Sequence, residues 1–260
     1  MIVKSSKANW VLNGQNGIDS LVFEHGCVLQ ELGEKEVLVE LHAASLNYRD
    51  LAIAKGAHRL RIREHVVPGS DGAGVVTAVG SSVQMFKVGQ RVVTHLAPGL
   101  AEWEWPVHSN IAVGLGQVAD GTLRAVGVFH ESALIPMPRN LTFEQAATLT
   151  CSALTAWNAI FGLKGKAVKE SDWILVQGTG GVSIAALQVR NASDIDILEL
   201  TLCSSRELQE RLLLLPQATN RKLLDFVSWE LKASSITRMT ALGGRAQESS
   251  LQMDEGLTTW

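Results

Sequence analysis

Three closely spaced glycines offer the most definite chemistry in this sequence. Gly178, Gly180 and Gly181 follow the apolar run Trp173 to Val176, which suits a strand buried on both faces of a parallel sheet. The first glycine allows a tight turn and the second lets backbone N–H groups approach a diphosphate. The apolar run Val182 to Leu187 then starts a helix whose N-terminus faces the anion. Gly178, Thr179, Gly180, Gly181 and Val182 are therefore candidate nucleotide-binding residues. Ser183 stands where G-x-G-x-x-G would carry its third glycine, so on spacing alone an ordinary strand-to-helix turn is the competing reading.

A second candidate patch is Leu46-Asn47-Tyr48-Arg49-Asp50-Leu51, directly after the strand-period residues Val37, Val39 and Leu41. Tyr48 is the chain's one tyrosine, and its phenol can supply a proton. Asp50 reads as a carboxylate opening a helix. The competing readings are a turn-capping Asn47 and a packed Tyr48. Trp103 and Trp105, at alternate positions of a loop, either line an entrance or form one buried face of an irregular strand. Lys164, Lys166 and Lys169 read as a solvated basic loop.

Composition narrows the classes. With 260 residues, 46% of them apolar, the chain is globular and long enough for one large or two modest domains. A net charge of -3 with scattered basic residues implies neither a nucleic-acid nor a membrane surface. No apolar run reaches the length of a bilayer span and no signal-peptide plan opens the chain, so a cytoplasmic protein is expected. Cys27, Cys151 and Cys203 are far apart and the histidines are dispersed, which supports neither a disulfide framework nor a zinc site.

The elements that must position these residues fall into two parts. Up to Pro136 and Pro138, short β-like runs alternate with glycine turns: Asn13-Gly14, Pro68 to Gly74, Val75 to Gly80 and Phe86 to Val92. This pattern predicts a small β-rich, barrel-like domain. From Asn140 it turns helical, with Thr142 and Gln145 spaced as a capping box and an apolar segment from Ala153 to Phe161.

Taken together and in order, LHAASLNYRDL, VPGSDGAGVVTAVG, FKVGQRV, GTLRAVGVF, AATLTCSALTAWNAI and LVQGTGGVSIAALQ resemble the medium-chain dehydrogenase/reductase superfamily. They are most similar to its zinc-independent quinone reductase and enoyl reductase branch, over roughly residues 8 to 188. The resemblance implies an α/β chain in three parts. A GroES-like β-rich barrel domain over 1–135 carries catalysis and substrate. An incomplete Rossmann domain, a doubly wound parallel sheet, begins over 136–188, and an atypical tail follows over 189–260.

The implied activity is hydride transfer between NADPH, or NADH, and a quinone, enone or similar small molecule. Asn47 matches the family position beside the nicotinamide, where it can donate a hydrogen bond to substrate or cofactor. Thr155 matches a family threonine close to the cofactor, or bonds back to its own preceding turn. Asn47 and Gly69-Ser70-Asp71 occupy places where the zinc enzymes carry cysteine and Gly-His-Glu ligands, so no zinc is expected. A homodimer is expected where the cofactor domain is complete.

The tail departs from that pattern. Asp194 to Leu200 alternates like a strand, Ser204 and Glu207 make a capping box before Leu208 to Leu215, and Lys222 to Ala233 reads as an amphipathic helix. Glu199 lies near the spacing of a ribose-binding acid. Another reading takes the last base of each codon with the first two of the next. With synonymous codons chosen freely, Arg221 to Leu231 can then encode KASRLRKLGA, Ala233 to Thr240 IINYKDD, and Leu251 to Trp260 PDGRGFDHV, which resemble the family in this order. Trp229 before Glu230 and Met253 before Asp254 both force a glycine codon, and Met239 before Thr240 forces aspartate. The expectation is an out-of-frame tail starting near Val189-Arg190, leaving the strand at Trp173 without family-like strands to flank it. The alternative function is then a truncated, catalytically inactive chain that keeps the N-terminal fold.

Overall fold

Strand β3, Glu36–Ser45, is the longest strand among the described residues and the backbone of the first half. A computed structural model describes residues 8–25, 31–59, 61–99, 113–162, 165, 167–169, 173–191, 196–200, 222–226 and 241–243. The alternation read at Val37, Val39 and Leu41 follows from the pleat of β3, which buries Val37 and Val39 completely. Ahead of it, β1 (Asn9–Leu12) and β2 (Leu21–Glu24) form a two-stranded antiparallel ribbon.

The main sheet adds β4 (Asp71–Val79), β5 (Arg91–Thr94), β6 (Val126–His130) and β7 (Leu134–Pro136), in the order β6-β3-β4-β5-β7 and antiparallel throughout. Its two edge strands, β6 and β7, are joined only by the 3-10 turn Glu131–Ala133. That link reaches at most about 14 Å, whereas four interstrand steps of a flat sheet need roughly 19 Å. The sheet must therefore curl until its edges approach, which is the barrel-like form expected. Val37, Val39, Val76, Phe86, Val92, Leu115, Phe129, Ala133 and Leu134 fill its interior.

The helical pattern from Asn140 folds as read. Helix α2, Phe143–Ala147, starts with the Thr142–Gln145 capping box, Gln145 N–H donating to Thr142 Oγ1 at 3.3 Å and Thr142 N–H to Gln145 Oε1 at 3.0 Å. Ala146 and Ala147 pack with Ala73 and Val93 of the main sheet. A π-helical turn, Leu149–Ala153, then leads into α3, Leu154–Phe161. The chain separates into two compact units, Met1–Trp157 and Asn158–Trp260, so α2 belongs with the β domain.

In the second unit, β8 (Trp173–Gln177) passes through α4 (Gly181–Asn191) to the parallel strand β9 (Asp196–Leu200), a βαβ crossover. Strand β10 (Lys222–Phe226) joins the other side of β8 in parallel, and β11 (Ala241–Gly243) pairs antiparallel at the edge. The sheet order is β11-β10-β8-β9. One sequence expectation is corrected here: Lys222 to Phe226, beside β8, is strand rather than helix. Pairing with β11 on one side and β8 on the other supplies backbone partners, and this outweighs an amphipathic pattern that favours helix. Trp103, Trp105, Lys164, Lys166 and the Ser204–Glu207 box lie outside the described residues.

Candidate functional site

Where β3 ends, Ser45 pairs with Asp71 at the start of β4, so the chain leaving β3 enters helix α1 (Tyr48–Ala54) beside Asp71. Asn47 is the N-cap of α1, and Asp50 Oδ2 accepts its backbone N–H at 2.8 Å. This satisfies a donor that the helix start would otherwise orphan. The sequence reading of Asp50 as a helix-start residue therefore matches its geometry. Tyr48, the first residue of α1, is 44% exposed. Thr155 is exposed on α3.

Asp71 is 1% exposed and accepts the Ser70 hydroxyl at Oδ1, at 2.9 Å. Its backbone is locked from two sides: Thr122 Oγ1 donates to the Asp71 carbonyl at 3.1 Å, and Thr94 Oγ1 donates to that of Ser70 at 2.8 Å. Gly69 makes this closeness feasible. It has a φ of +88°, and a Cβ there would lie 2.6 Å from Thr122 Oγ1. Across the loop, a Cβ on Gly121 would lie 1.8 Å from the Gly69 carbonyl.

Arg49 donates to the Leu115 carbonyl at 2.9 Å and to Gln117 Oε1 at 2.6 Å. Burial lowers its pKa, while Asp50, Cys151 and Asp71 pull it back. Burial raises the Asp50 carboxyl to about 6 against the Asn47 N–H and Arg49, and Asp71 adds to the rise. Burial also raises Asp71, opposed by the Ser70 hydroxyl, the Asn47 side-chain amide, the Cys151 backbone N–H and the Arg49 charge. The Cys151 thiol is pushed up to about 11, first by burial and then by Asp71 and Asp50. Asn47, Arg49, Asp50, Ser70, Asp71 and Cys151 thus form one electrostatic cluster. Asn47 Nδ2, Asp50 Oδ1 and Asp71 Oδ2 are buried within it without completing a hydrogen bond.

Sequence reasoning singled out Asn47 and Tyr48 but gave no chemical role to Arg49, Asp71 or Cys151. The signal for Asp71 lay in the glycines around it, which mark close backbone approach. Cys151 carried no such signal, because its place depends on the π-helical turn that sets its N–H toward Asp71.

The remaining candidates, Gly178 to Val182, lie in the second unit at the carboxyl end of β8. Gly178 has a φ of +74°, which only glycine adopts freely. The first intrahelical bond of α4 runs from Ile184 N–H to the Gly180 carbonyl at 3.0 Å, so the amides of Gly181 and Val182 precede the helical ladder. Ser183 is 3% exposed, with Ala185 and Ala186 also buried on α4. The position where the motif asks for a third glycine thus accommodates a hydroxymethyl group. The order of strand addition reverses at β8, with β9 added on one side and β10 on the other. This switch point is where open α/β sheets bind ligands. Glu199 in β9 pairs in register with Val176, one residue from the end of β8.

Among the described residues, no group of three or more His, Cys, Asp or Glu could hold a metal, and no helix is long and apolar enough to cross a membrane.

The alcohol dehydrogenase GroES-like domain matches residues 33–139. A zinc-type alcohol dehydrogenase-like protein of Schizosaccharomyces pombe is 44% identical over 185 residues, covering 70% of this chain and 52% of that protein. The chloroplastic NADPH-dependent alkenal/one oxidoreductase of Arabidopsis thaliana is 31% identical, covering 72% of this chain and 45% of that one. A solved NAD-dependent alcohol dehydrogenase superposes with a TM-score of 0.64 at 30% identity, over 84% of this chain and 63% of its own. The chain spans about half the length of the curated relatives it matches.

Proposed function

The chain belongs to the medium-chain dehydrogenase/reductase superfamily, and from that premise we propose a zinc-independent oxidoreductase that passes hydride from NADPH to an enone, quinone or similar small molecule. The observation that carries this reading is the glycine turn at the switch point of the β8 sheet. Backbone amides of Gly178 to Val182 would hold the diphosphate at the N-terminus of α4, and Thr155 would sit beside the cofactor. Reduced nicotinamide supplies the hydride when bound. Asn47 donates a hydrogen bond to the oxygen that gains charge, which lowers the barrier only if the donor is oriented beforehand. The Tyr48 phenol supplies the proton.

Zinc independence rests on the donor set. Asn47 and Ser70 are neutral oxygen or nitrogen groups, and the Ser70 hydroxyl is engaged by Asp71 at 2.9 Å.

One observation favours a second cofactor reading. An acid at Glu199, near the end of the strand after α4, suits the 2′-hydroxyl of NADH better than the 2′-phosphate of NADPH. Fluorescence titration with both nucleotides separates the readings. Saturable binding with NADPH tighter supports the proposal, and NADH tighter supports the second reading. Saturation by neither would favour the catalytically inactive alternative.

A further inference from the structure

Helix α1 is held by different means at its two ends. Its last turn is anchored by packing, with Ile53 and Ala54 buried against Leu12 and Val66, and the Gly17 N–H donates to the Ala54 carbonyl at 2.9 Å. At the first turn, Arg49 reaches across the fold. Its Nη1 donates to the Leu115 carbonyl at 2.9 Å and its Nη2 to Gln117 Oε1 at 2.6 Å, over 66 and 68 residues of sequence.

The loop that supplies these acceptors is itself fixed. Gln117 is completely buried, and its Nε2 donates to the Arg61 carbonyl at 3.2 Å. The Gln117 carbonyl takes the Arg63 N–H at 2.8 Å. Between Leu115 and Gln117, Gly116 lies so close to the chain leading into Asp71 that a Cβ there would stand 2.7 Å from the Gly69 carbonyl oxygen. Arg49 therefore ties the start of α1 to a loop that abuts the Gly69 backbone.

Two donors in one rigid plane, taken by two acceptors on one loop, fix rotation as well as distance. A lysine ammonium on a flexible stem would fix distance alone. Asn47 is the N-cap of α1 and Tyr48 its first residue, so rotation of this turn carries both with it.

We propose that Arg49 is a positioning residue, its grip on Leu115 and Gln117 setting the rotation of the first turn of α1 and with it the places of Asn47 and Tyr48. The inference rests on the reading of Asn47 as the donor and Tyr48 as the acid in the proposed reaction. Arg49 touches neither substrate nor cofactor in this account and acts only through these two residues.

The test reads Tyr48 directly. It is the chain's one tyrosine, so full-length protein made with 3-fluorotyrosine gives a single fluorine resonance that needs no assignment. Gln117→Met removes an acceptor of Arg49 without altering α1. The expected result is that Gln117→Met shifts or broadens the resonance when Arg49 is present and has no further effect in an Arg49→Met background. A resonance that Gln117→Met leaves unmoved, or moves equally in the Arg49→Met background, overturns the inference. If Gln117→Met folds poorly, Gln117→Asn, which draws the same amide back by one methylene, gives the same reading.

Turnover gives an independent arm. Arg49→Met should lower kcat on the order of a hundredfold with the nucleotide KM unchanged, and Arg49→Lys should recover little of that loss. Adding Arg49→Met to the pair Asn47→Ala and Tyr48→Phe should cost nothing more. Full activity in Arg49→Lys, or additive losses, overturn the inference. A wild-type protein without turnover counts against the proposed reaction, while the fluorine resonance still decides the role of Arg49.

Discussion

Asp50 caps Asn47 from three residues downstream, its Oδ2 taking the Asn47 backbone N–H at 2.8 Å. The same carboxyl is strained as an ion, because burial raises its pKa from 3.8 to about 6. A raised folded pKa stabilises the fold below the unfolded value, and that contribution is lost as pH rises through about 6. Asp50→Asn keeps an acceptor for the Asn47 N–H but cannot ionise. Its unfolding free energy, measured by urea titration, should lack the decline expected of wild type between about pH 4 and 6. An unchanged slope would show that another group sets it.

Cys151 offers a chemical check on the same cluster. A thiol held at about 11 carries little thiolate at neutral pH. Its alkylation by iodoacetamide, followed by peptide mass spectrometry, should be much slower in folded than in urea-unfolded protein. Equal rates in the two states would mean that the thiol is neither buried nor facing Asp71 and Asp50.

The glycine packing beneath Asp71 has a direct cost when filled. A Cβ on Gly121 would stand 1.8 Å from the Gly69 carbonyl oxygen, so Gly121→Ala must displace backbone. A loss of about 1–3 kcal/mol is expected by chemical denaturation, with nothing lost at Gly89, where a Cβ meets no atom within 4 Å, beyond the strain of its positive φ.

Helix α2 carries the most local prediction. Thr142→Ala removes the hydroxyl that accepts the Gln145 N–H at 3.3 Å and should cost about 1 kcal/mol. Thr142→Ser should restore most of it, and an alanine variant as stable as wild type would show the cap to be idle.

What the sequence made legible is what local chemistry dictates. The Thr142–Gln145 box, the β3 alternation at Val37 and Val39, the helix start at Asp50 and the strand–glycine–helix order at Gly178 each depend on neighbours within a few residues. The Asp71 cluster does not, since Arg49 reaches Leu115 and Gln117 across the fold and Cys151 is placed by a π-helical turn without a sequence signature. Lys222 to Phe226 was misread as helix for the same reason, its strand state being set by pairing with β8 and β11. Ser183 shows the reverse case: a departure from the glycine motif that the buried face of α4 absorbs.

The central claim, hydride transfer from a nicotinamide cofactor whose diphosphate is held at the Gly178 turn, is tested most directly by isotope. Full-length protein is mixed with NADPH deuterated at the transferable nicotinamide position and a simple enone, and the product is examined by mass spectrometry and NMR. Deuterium on the β-carbon of the saturated ketone, with transfer much slower in Asn47→Ala, is the predicted result. An enone recovered unchanged, under conditions where the protein is folded and NADPH is in excess, would contradict the account.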